Sequence, residues 1–169
     1  MTAHPDKPRV ALIVSRYNAS VTDRLEAGAR AAYVETSGPD SAVETIHAPG
    51  AFELPQLASV AAHSGRFDAI VALGCLIRGE TSHDRHIARA VAHGLTEVSV
   101  RYRLPVAFGV LTVDTAAQAE ARAGGARGNK GAEAMRAALQ ALGAARALAS
   151  GQPATSGHRA PDKLTGATS

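Results

Sequence analysis

The chain has one cysteine, few aromatic residues, no tryptophan and no long hydrophobic run. Cys75 therefore has no internal disulfide partner, which is compatible with a reducing compartment. The longest wholly apolar runs cover residues 10–14 and 69–73 and are far too short to span a bilayer. The stretch from Met1 to Pro8 contains no apolar core of a secretory signal. We therefore expect a soluble cytoplasmic protein.

Charged residues of one sign do not cluster either. The 18 basic and 15 acidic residues give a formal net charge of +3 and are scattered along the 169 residues. A scattered charge favours a solvated surface over a nucleic-acid interface. With 46% apolar residues, a chain of this length can bury the core of one domain.

What the sequence does contain is a regular alternation of strand-like and helix-like segments. Between four short apolar, β-branched runs lie three segments whose apolar residues recur at helical spacing. Connections of that length favour parallel strands with right-handed crossovers. We expect the first, third and fourth strands to be covered on both faces, because they are almost continuously apolar, and the more polar second strand to lie at an edge. The predicted strands cover residues 10–14, 43–46, 69–73 and 106–111.

The helix ends carry their own signals. Ser20 and Thr81 each begin a Ser/Thr-x-x-Asp pattern typical of a helix N-terminus, and Asn129 can cap the last helix. A glycine-rich break at residues 124–125 separates a short helix from that last one. From residue 150 onward, Gly, Pro, Ser and Thr replace the apolar pattern. We therefore predict one α/β domain over residues 1–149 and a disordered tail over residues 150–169.

The loops that follow the strands hold the candidate site residues, because ligands of parallel α/β sheets bind beyond the carboxyl ends of the strands. Tyr17, Phe52, Glu53 and His83 fall in these loops. Each of them alone would more often be structural, and it is their convergence that favours a site. The four loops cover residues 15–18, 48–53, 74–83 and 112–115.

The third of these loops is the most informative. Gly79 permits close backbone approach, and Thr81 or Ser82 opens a helix whose free N–H groups favour an anion such as phosphate. His83, in the first turn, would lie beside that anion and could carry protons near neutral pH. The alternative is that His83 is simply solvated.

Three rival interpretations carry less weight. Glu80, His83 and His86 stand at helical spacing, but a di-metal carboxylate site needs matching ligands from other helices, and the sequence has no second such motif. Residues 124–131 are similar to a phosphate loop, yet an asparagine interrupts the Gly-Lys pair and a helix precedes them. No histidine pairs recognisably with Cys75, which favours a small buried residue over a nucleophile.

Five blocks of sequence match one family, in order and with family-like spacing, between about residues 10 and 142. They are Arg16-Tyr17-Asn18, Pro49-Gly50-Ala51-Phe52-Glu53-Leu54-Pro55, residues 74–81 with His83, residues 105–112, and Arg122-Ala123-Gly124 with residues 128–134. Together they resemble the 6,7-dimethyl-8-ribityllumazine synthase family, which acts in the penultimate step of riboflavin biosynthesis.

The resemblance implies a three-layer, flavodoxin-like α/β domain with a central four-stranded parallel sheet flanked by helices. It also implies a transferase that condenses 5-amino-6-(D-ribitylamino)uracil with 3,4-dihydroxy-2-butanone 4-phosphate and releases phosphate and water, without metal or organic cofactor. Two other classes stay open: a homologue that keeps the fold as an inactive shell or scaffold, and a module that binds flavin without turnover. The matching site residues argue against the inactive shell.

Roles implied by the resemblance attach to thirteen residues. Tyr17 matches the aromatic residue that stacks on the pyrimidine, and His83 matches the proton-transfer residue. Arg122 matches the phosphate-binding arginine, and Phe108 matches an aromatic residue contributed by a neighbouring subunit. The remaining matches are Ala51, Phe52 and Glu53 for the ribityl chain and ring, Cys75, Leu76 and Ile77 along the ring, Glu80 and Thr81 at the butanone phosphate, and Lys130 near the substrates.

The position of Phe108 independently favours a site shared between subunits. It lies near the start of its predicted strand and about five residues before the loop at residues 112–115, which is roughly 16 Å from its own crevice at about 3.3 Å per residue. The resemblance further implies a homopentamer or an icosahedral 60-mer, and the absence of an insertion between residues 122 and 131 favours the 60-mer. Riboflavin synthase is a candidate partner. Family members often carry aromatic residues where this chain has Asp84 and His86.

Overall fold

The computed structural model describes residues 7–151. Its main sheet contains β1 (Val10–Ser15), β2 (Val43–Ala48), β3 (Ala69–Ile77) and β4 (Val106–Val113), all parallel and in the order β2-β1-β3-β4. The helices are α1 (Ala19–Ser37), α2 (Leu54–His63), α3 (His83–Tyr102), α4 (Ala116–Arg122) and α5 (Lys130–Ala149). An antiparallel pair, β5 (Ala123–Gly125) and β6 (Gly128–Asn129), occupies the predicted glycine-rich break. The predicted α/β alternation is confirmed.

Helices cover both faces of this sheet and form two cores. Along β1, Val10, Leu12 and Val14 belong to the core under α1 and α5, whereas Ala11 and Ile13 belong to the core under α2 and α3. All five side chains are fully buried. Because complete burial of one Val, Leu or Ile side chain contributes about 1.5–3 kcal/mol, the central strand anchors both layers. The architecture is the three-layer α/β arrangement expected from the sequence.

The two outer strands differ from the expectation in one respect. β2 lies at an edge, as predicted, but β4 is the other edge strand and its two faces are not both covered. Gly109 to Leu111 are buried, whereas Phe108 is 43% exposed and Thr112 is exposed. A continuously apolar segment of sequence is expected to be buried, but the sequence does not say which surface covers it. Within residues 7–151, only β3 pairs with β4.

Two of the three predicted helix starts have different outcomes. α1 is preceded by Asn18 rather than Ser20, whereas α3 is preceded by Ser82, one of the two residues predicted to open it, and not by Thr81. Neither helix has a side-chain cap among the described residues. α1 begins four residues and α3 six residues after the last residue of the preceding strand.

The third predicted cap, Asn129, is confirmed, and it explains the stretch that is similar to a phosphate loop. Its side-chain oxygen accepts hydrogen bonds from the N–H groups of Gly131 (2.9 Å) and Ala132 (3.1 Å), and its amide donates to the carbonyl of Arg24 (2.9 Å). A Cβ on Gly28 would lie 2.2 Å from Cγ of Asn129. The absence of a side chain at Gly28 therefore leaves space for Asn129, whose contacts hold the start of α5 against α1.

The last helix ends at Ala149, where the predicted domain ends. Apart from Ser150 and Gly151, the predicted tail lies outside the described residues, as do residues 1–6. No helix in the described part of the chain is both long enough and apolar enough to cross a membrane.

Candidate active site

A cavity of about 460 Å³ opens at the carboxyl edge of the sheet. Its walls come from the loop after β1, the turn after β2, the end of β3 and the start of α3. The strand order reverses between β1 and β3, and such a reversal is where open parallel sheets bind ligands. Nine predicted site residues line this cavity, namely Tyr17, Ala51, Phe52, Glu53, Cys75, Leu76, Ile77, Thr81 and His83.

Two aromatic side chains border the cavity and are unusually exposed. Tyr17 is 71% exposed and Phe52 is 61% exposed. The loops that carry them diverge from adjacent strands, and the N–H of Arg16 donates to the carbonyl of Ala48 at 2.8 Å where they separate. Large apolar side chains left open beside a cavity are typical of a ligand-binding or partner-binding surface. Their faces can pack against a flat ring.

The carboxylate of Glu53 is fixed at the cavity by its own loop. Ala51–Glu53 forms a 3₁₀ turn, and the N–H of Gly50 donates to Oε2 of Glu53 at 3.0 Å. An ionised carboxylate has room for about four hydrogen bonds, so this bond orients the group and leaves acceptor capacity for hydroxyl donors. The turn thus presents an aromatic face and an acceptor side by side.

The end of β3 forms the cavity floor, and here the predicted strand was too short. Gly74 was predicted to begin a loop, but it pairs with Val110 of β4 and the strand continues to Ile77. A Cβ at Gly74 would contact Leu54 and Val110 at 3.4 Å, so this glycine fits tight packing rather than a turn. The extension carries Cys75 into the cavity wall. Burial raises the pKa of the Cys75 thiol to about 11, so the thiol stays protonated at neutral pH and is not an activated nucleophile.

The first turn of α3 supplies the polar side of the cavity. His83 is the first residue of the helix and is exposed, and a helix start leaves N–H groups that favour an anion. Asp84 follows it, and its Oδ1 atom is buried with no hydrogen-bond partner among the described residues. Ile87, one turn further on, adds an apolar contact. Helical spacing from His83 could have indicated Ile87, whereas the sequence marked Asp84 only as part of a helix-start pattern and as a departure from the family.

A second, polar cavity of about 180 Å³ adjoins the first, because Asp84 lines both. Arg122 lies in this second cavity with Arg78 and Arg85. Its guanidinium donates to the carbonyl of Gln118 at 3.1 Å. Within a single chain, Arg122, the predicted phosphate-binding arginine, therefore lies in the cavity next to the larger one and not in the wall of the larger cavity.

Three further predicted residues also lie outside the larger cavity. Glu80 is exposed between two lining residues, Phe108 projects from β4, and Lys130 pairs with Glu133 at the start of α5. In the described part of the chain, no three His, Cys, Asp or Glu side chains are grouped so as to hold a metal ion.

The strand order, the three layers and the cavity at the strand reversal define a flavodoxin-like α/β protein with a cavity at the position where such sheets bind ligands. The family model described as 6,7-dimethyl-8-ribityllumazine synthase matches residues 7–146, and this chain belongs to that family. A protein of that name from Xylella fastidiosa is 45% identical over 136 residues, covering 80% of this chain and 88% of the relative. Proteins of the same name from Xanthomonas oryzae pv. oryzae and Xanthomonas axonopodis pv. citri are 47% identical with the same coverage.

Proposed function

We propose that this protein is the transferase that condenses 5-amino-6-(D-ribitylamino)uracil with 3,4-dihydroxy-2-butanone 4-phosphate to give 6,7-dimethyl-8-ribityllumazine. The observation that carries the proposal is the cavity at the strand reversal, whose wall contains nine of the thirteen site residues expected for this family. Family membership over residues 7–146 supports the same reaction.

The pyrimidine substrate occupies the aromatic side of the cavity. Its ring lies against Tyr17 and Phe52, whose faces are exposed there. Glu53 accepts hydrogen bonds from the ribityl hydroxyls, since its carboxylate is already oriented by the N–H of Gly50. The end of β3, from Cys75 to Ile77, lies along the ring.

The phosphorylated ketone lies at the start of α3. The backbone at Glu80 and Thr81 and the free N–H groups of the first helical turn receive its phosphate. Within the described residues no Lys or Arg lines the larger cavity, so a side-chain cation that binds the phosphate comes from outside its walls. Arg122 supplies that cation, because a guanidinium binds phosphate through two parallel hydrogen bonds.

The reaction needs alignment and proton transfer. The pyrimidine amine attacks the ketone and water leaves, which gives an imine. Phosphate is then eliminated, the resulting enol becomes a ketone, and the ribitylamino nitrogen closes the ring with loss of a second water. His83 moves protons in these steps, while the alignment of two substrates supplies the larger part of the acceleration.

A second copy of the chain completes the site. Phe108 is exposed on the edge strand β4 and does not line the cavity of its own chain, so it serves a neighbouring one. We propose a homopentamer and its icosahedral 60-mer as the assembly, with riboflavin synthase as the partner that consumes the product. Sizing by light scattering and electron microscopy of the purified protein test the assembly.

One experiment separates the three classes of function. The protein is mixed with both substrates, and lumazine fluorescence and phosphate release are followed together. We expect equal amounts of both products, and only when both substrates are present. An inactive shell would assemble and release no phosphate, and a flavin-binding module would bind riboflavin without forming lumazine.

A further inference from the structure

We propose that Asn18 is a positioning residue that ties the Tyr17 wall of the cavity to the end of β3 and thereby sets the pyrimidine site. This inference rests on the proposed function of the cavity. Asn18 lines the cavity, and its side-chain amide donates a hydrogen bond to the carbonyl of Cys75 at 2.9 Å. The bond joins two of the cavity's walls.

The hydrogen-bond pattern of the sheet shows why this carbonyl needs a side-chain donor. Residues along a strand bond alternately to its two neighbours. The N–H groups of Ile70 and Arg78 both donate towards β4, so the backbone of Cys75 faces the β1 side. β1 pairs with β3 only as far as Leu73. The Asn18 amide therefore takes the place of a further β1 residue, because a buried carbonyl left without a donor is costly.

The backbone of Asn18 has a second task. It adopts the left-handed conformation (φ 61°, ψ 45°), and its own carbonyl accepts the N–H groups of Val21 (2.9 Å) and Thr22 (3.1 Å). Among residues with side chains, asparagine tolerates this conformation best, and glycine tolerates it freely. Glycine would keep the turn and lose the bond to Cys75, which makes Asn18→Gly a clean test of the amide.

The position of Tyr17 depends on this tie. Tyr17 precedes Asn18 and is 71% exposed, so little packing from the described residues holds its ring. Its backbone is fixed between Arg16, bonded to β2, and Asn18, bonded to β3. Loss of the second bond frees the loop and moves the ring relative to the cavity floor.

The kinetic test compares Asn18→Gly with the wild-type assembly. We expect the KM and Kd of the pyrimidine to rise about 5- to 20-fold, because ordering the loop that carries Tyr17 then costs part of the binding free energy. The kcat at saturation and the KM of the butanone phosphate should change less than about threefold, since the start of α3 is untouched. Asn18→Asp keeps the shape but presents an acceptor to the carbonyl, so it should lose at least as much affinity.

Ser99→Ala is the matched control. It also removes a side-chain hydrogen bond to a backbone carbonyl, from Ser99 to Leu104 at 2.9 Å, but in the last turns of α3. It should leave the pyrimidine KM unchanged. In a Tyr17→Ala background, Asn18→Gly should cause little further loss of pyrimidine affinity, because Asn18 acts through Tyr17. Additive losses, or equal rises in the KM of both substrates, would overturn the proposal.

A measurement without substrate separates this inference from the proposed reaction. The N–H of Arg16 donates to Ala48 at the base of the loop, so its hydrogen exchange reports whether the loop is held. Exchange should be at least tenfold faster in Asn18→Gly and unchanged in Ser99→Ala. Unchanged exchange in Asn18→Gly refutes the tie even if the enzyme is active, and failure of wild-type protein to form lumazine refutes the reaction alone. If Asn18→Gly does not fold, the same kinetic and hydrogen-exchange measurements are made on Asn18→Asp.

Discussion

Asp84 and Arg122 line the same polar cavity, and Asp84 also lines the larger cavity that contains His83. An acidic side chain shared by the two cavities and a basic side chain of the smaller one thus lie near the start of α3. A substrate phosphate at the start of α3 would be attracted by one and repelled by the other. If the phosphate binds at the start of α3 as proposed, we expect these two charges to affect the affinity for the phosphorylated substrate in opposite directions.

We predict that Arg122→Ala weakens capture of the butanone phosphate more than that of the pyrimidine. A lost charged hydrogen bond corresponds to roughly 1.5–3 kcal/mol, and so to about a 10- to 150-fold higher KM for that substrate. Arg127→Ala, which removes an exposed arginine outside both cavities, is the control. An unchanged KM for the butanone phosphate in Arg122→Ala would show that Arg122 does not bind the substrate phosphate.

The opposite change is expected at Asp84. Replacing it by asparagine removes a negative charge beside the phosphate position, so the KM of the butanone phosphate and the inhibition constant of inorganic phosphate should fall about 2- to 10-fold. The effect should shrink as salt is added. Asp23→Asn removes a carboxylate that is paired with Arg16 on the surface and should leave both constants unchanged. Weaker phosphate binding in Asp84→Asn would contradict this picture.

His83→Ala should slow turnover without abolishing it. General acid–base catalysis contributes about 10² to 10⁴-fold, whereas alignment of the two substrates survives the change. Single-turnover kinetics and equilibrium pyrimidine binding are measured together. Wild-type rates would exclude His83 from the reaction, and lost binding would make it structural.

The shared site predicts complementation. Tyr17→Ala and Phe108→Ala should each be nearly inactive alone, and refolded mixtures should regain part of the activity, because some interfaces then combine an intact Tyr17 with an intact Phe108. Mass spectrometry establishes that the mixed assemblies contain both variants. Activity no higher than that of the parents in such assemblies would show that each chain holds a complete site.

A last prediction concerns stability at low pH. Partial burial alone would raise the pKa of Asp68, but hydrogen bonds from Arg9 and the charges of Arg9 and Arg146 lower it below its ordinary value. A lowered pKa stabilises the folded state above the unfolded-state value of about 3.9, and this stabilisation is lost as pH falls through the folded-state value. Asp68→Asn should therefore cost about 1 kcal/mol at pH 7 and very little near pH 2 in urea titrations. An equal cost at both pH values would contradict the ion-pair explanation.

The sequence predicted strand starts better than strand ends. Val10, Val43, Ala69 and Val106 begin both the predicted and the observed strands. The ends were missed because polar or glycine residues continue the ladder wherever a neighbouring strand offers partners. The paired stretch from Gly74 to Ile77 is the largest example.

The same distinction applies to the site. Tyr17, Phe52 and His83 could be grouped from sequence because their loops follow strands of one sheet. Asn18 falls in the same loop as Tyr17 and Asp84 follows His83, but the contacts that give them a role involve a carbonyl and a cavity contributed by distant segments. Local patterns do not contain those contacts.

The close packing of the Asn129 side chain against Gly28 has an evolutionary consequence. A side chain larger than hydrogen at position 28 would displace the Asn129 amide, and with it the cap that starts α5 next to Lys130. A substitution at either position therefore requires a compensating substitution at the other. Among homologues, the two positions should covary, with glycine at one accompanying asparagine at the other, although one lies within α1 and the other precedes α5, far apart in the chain.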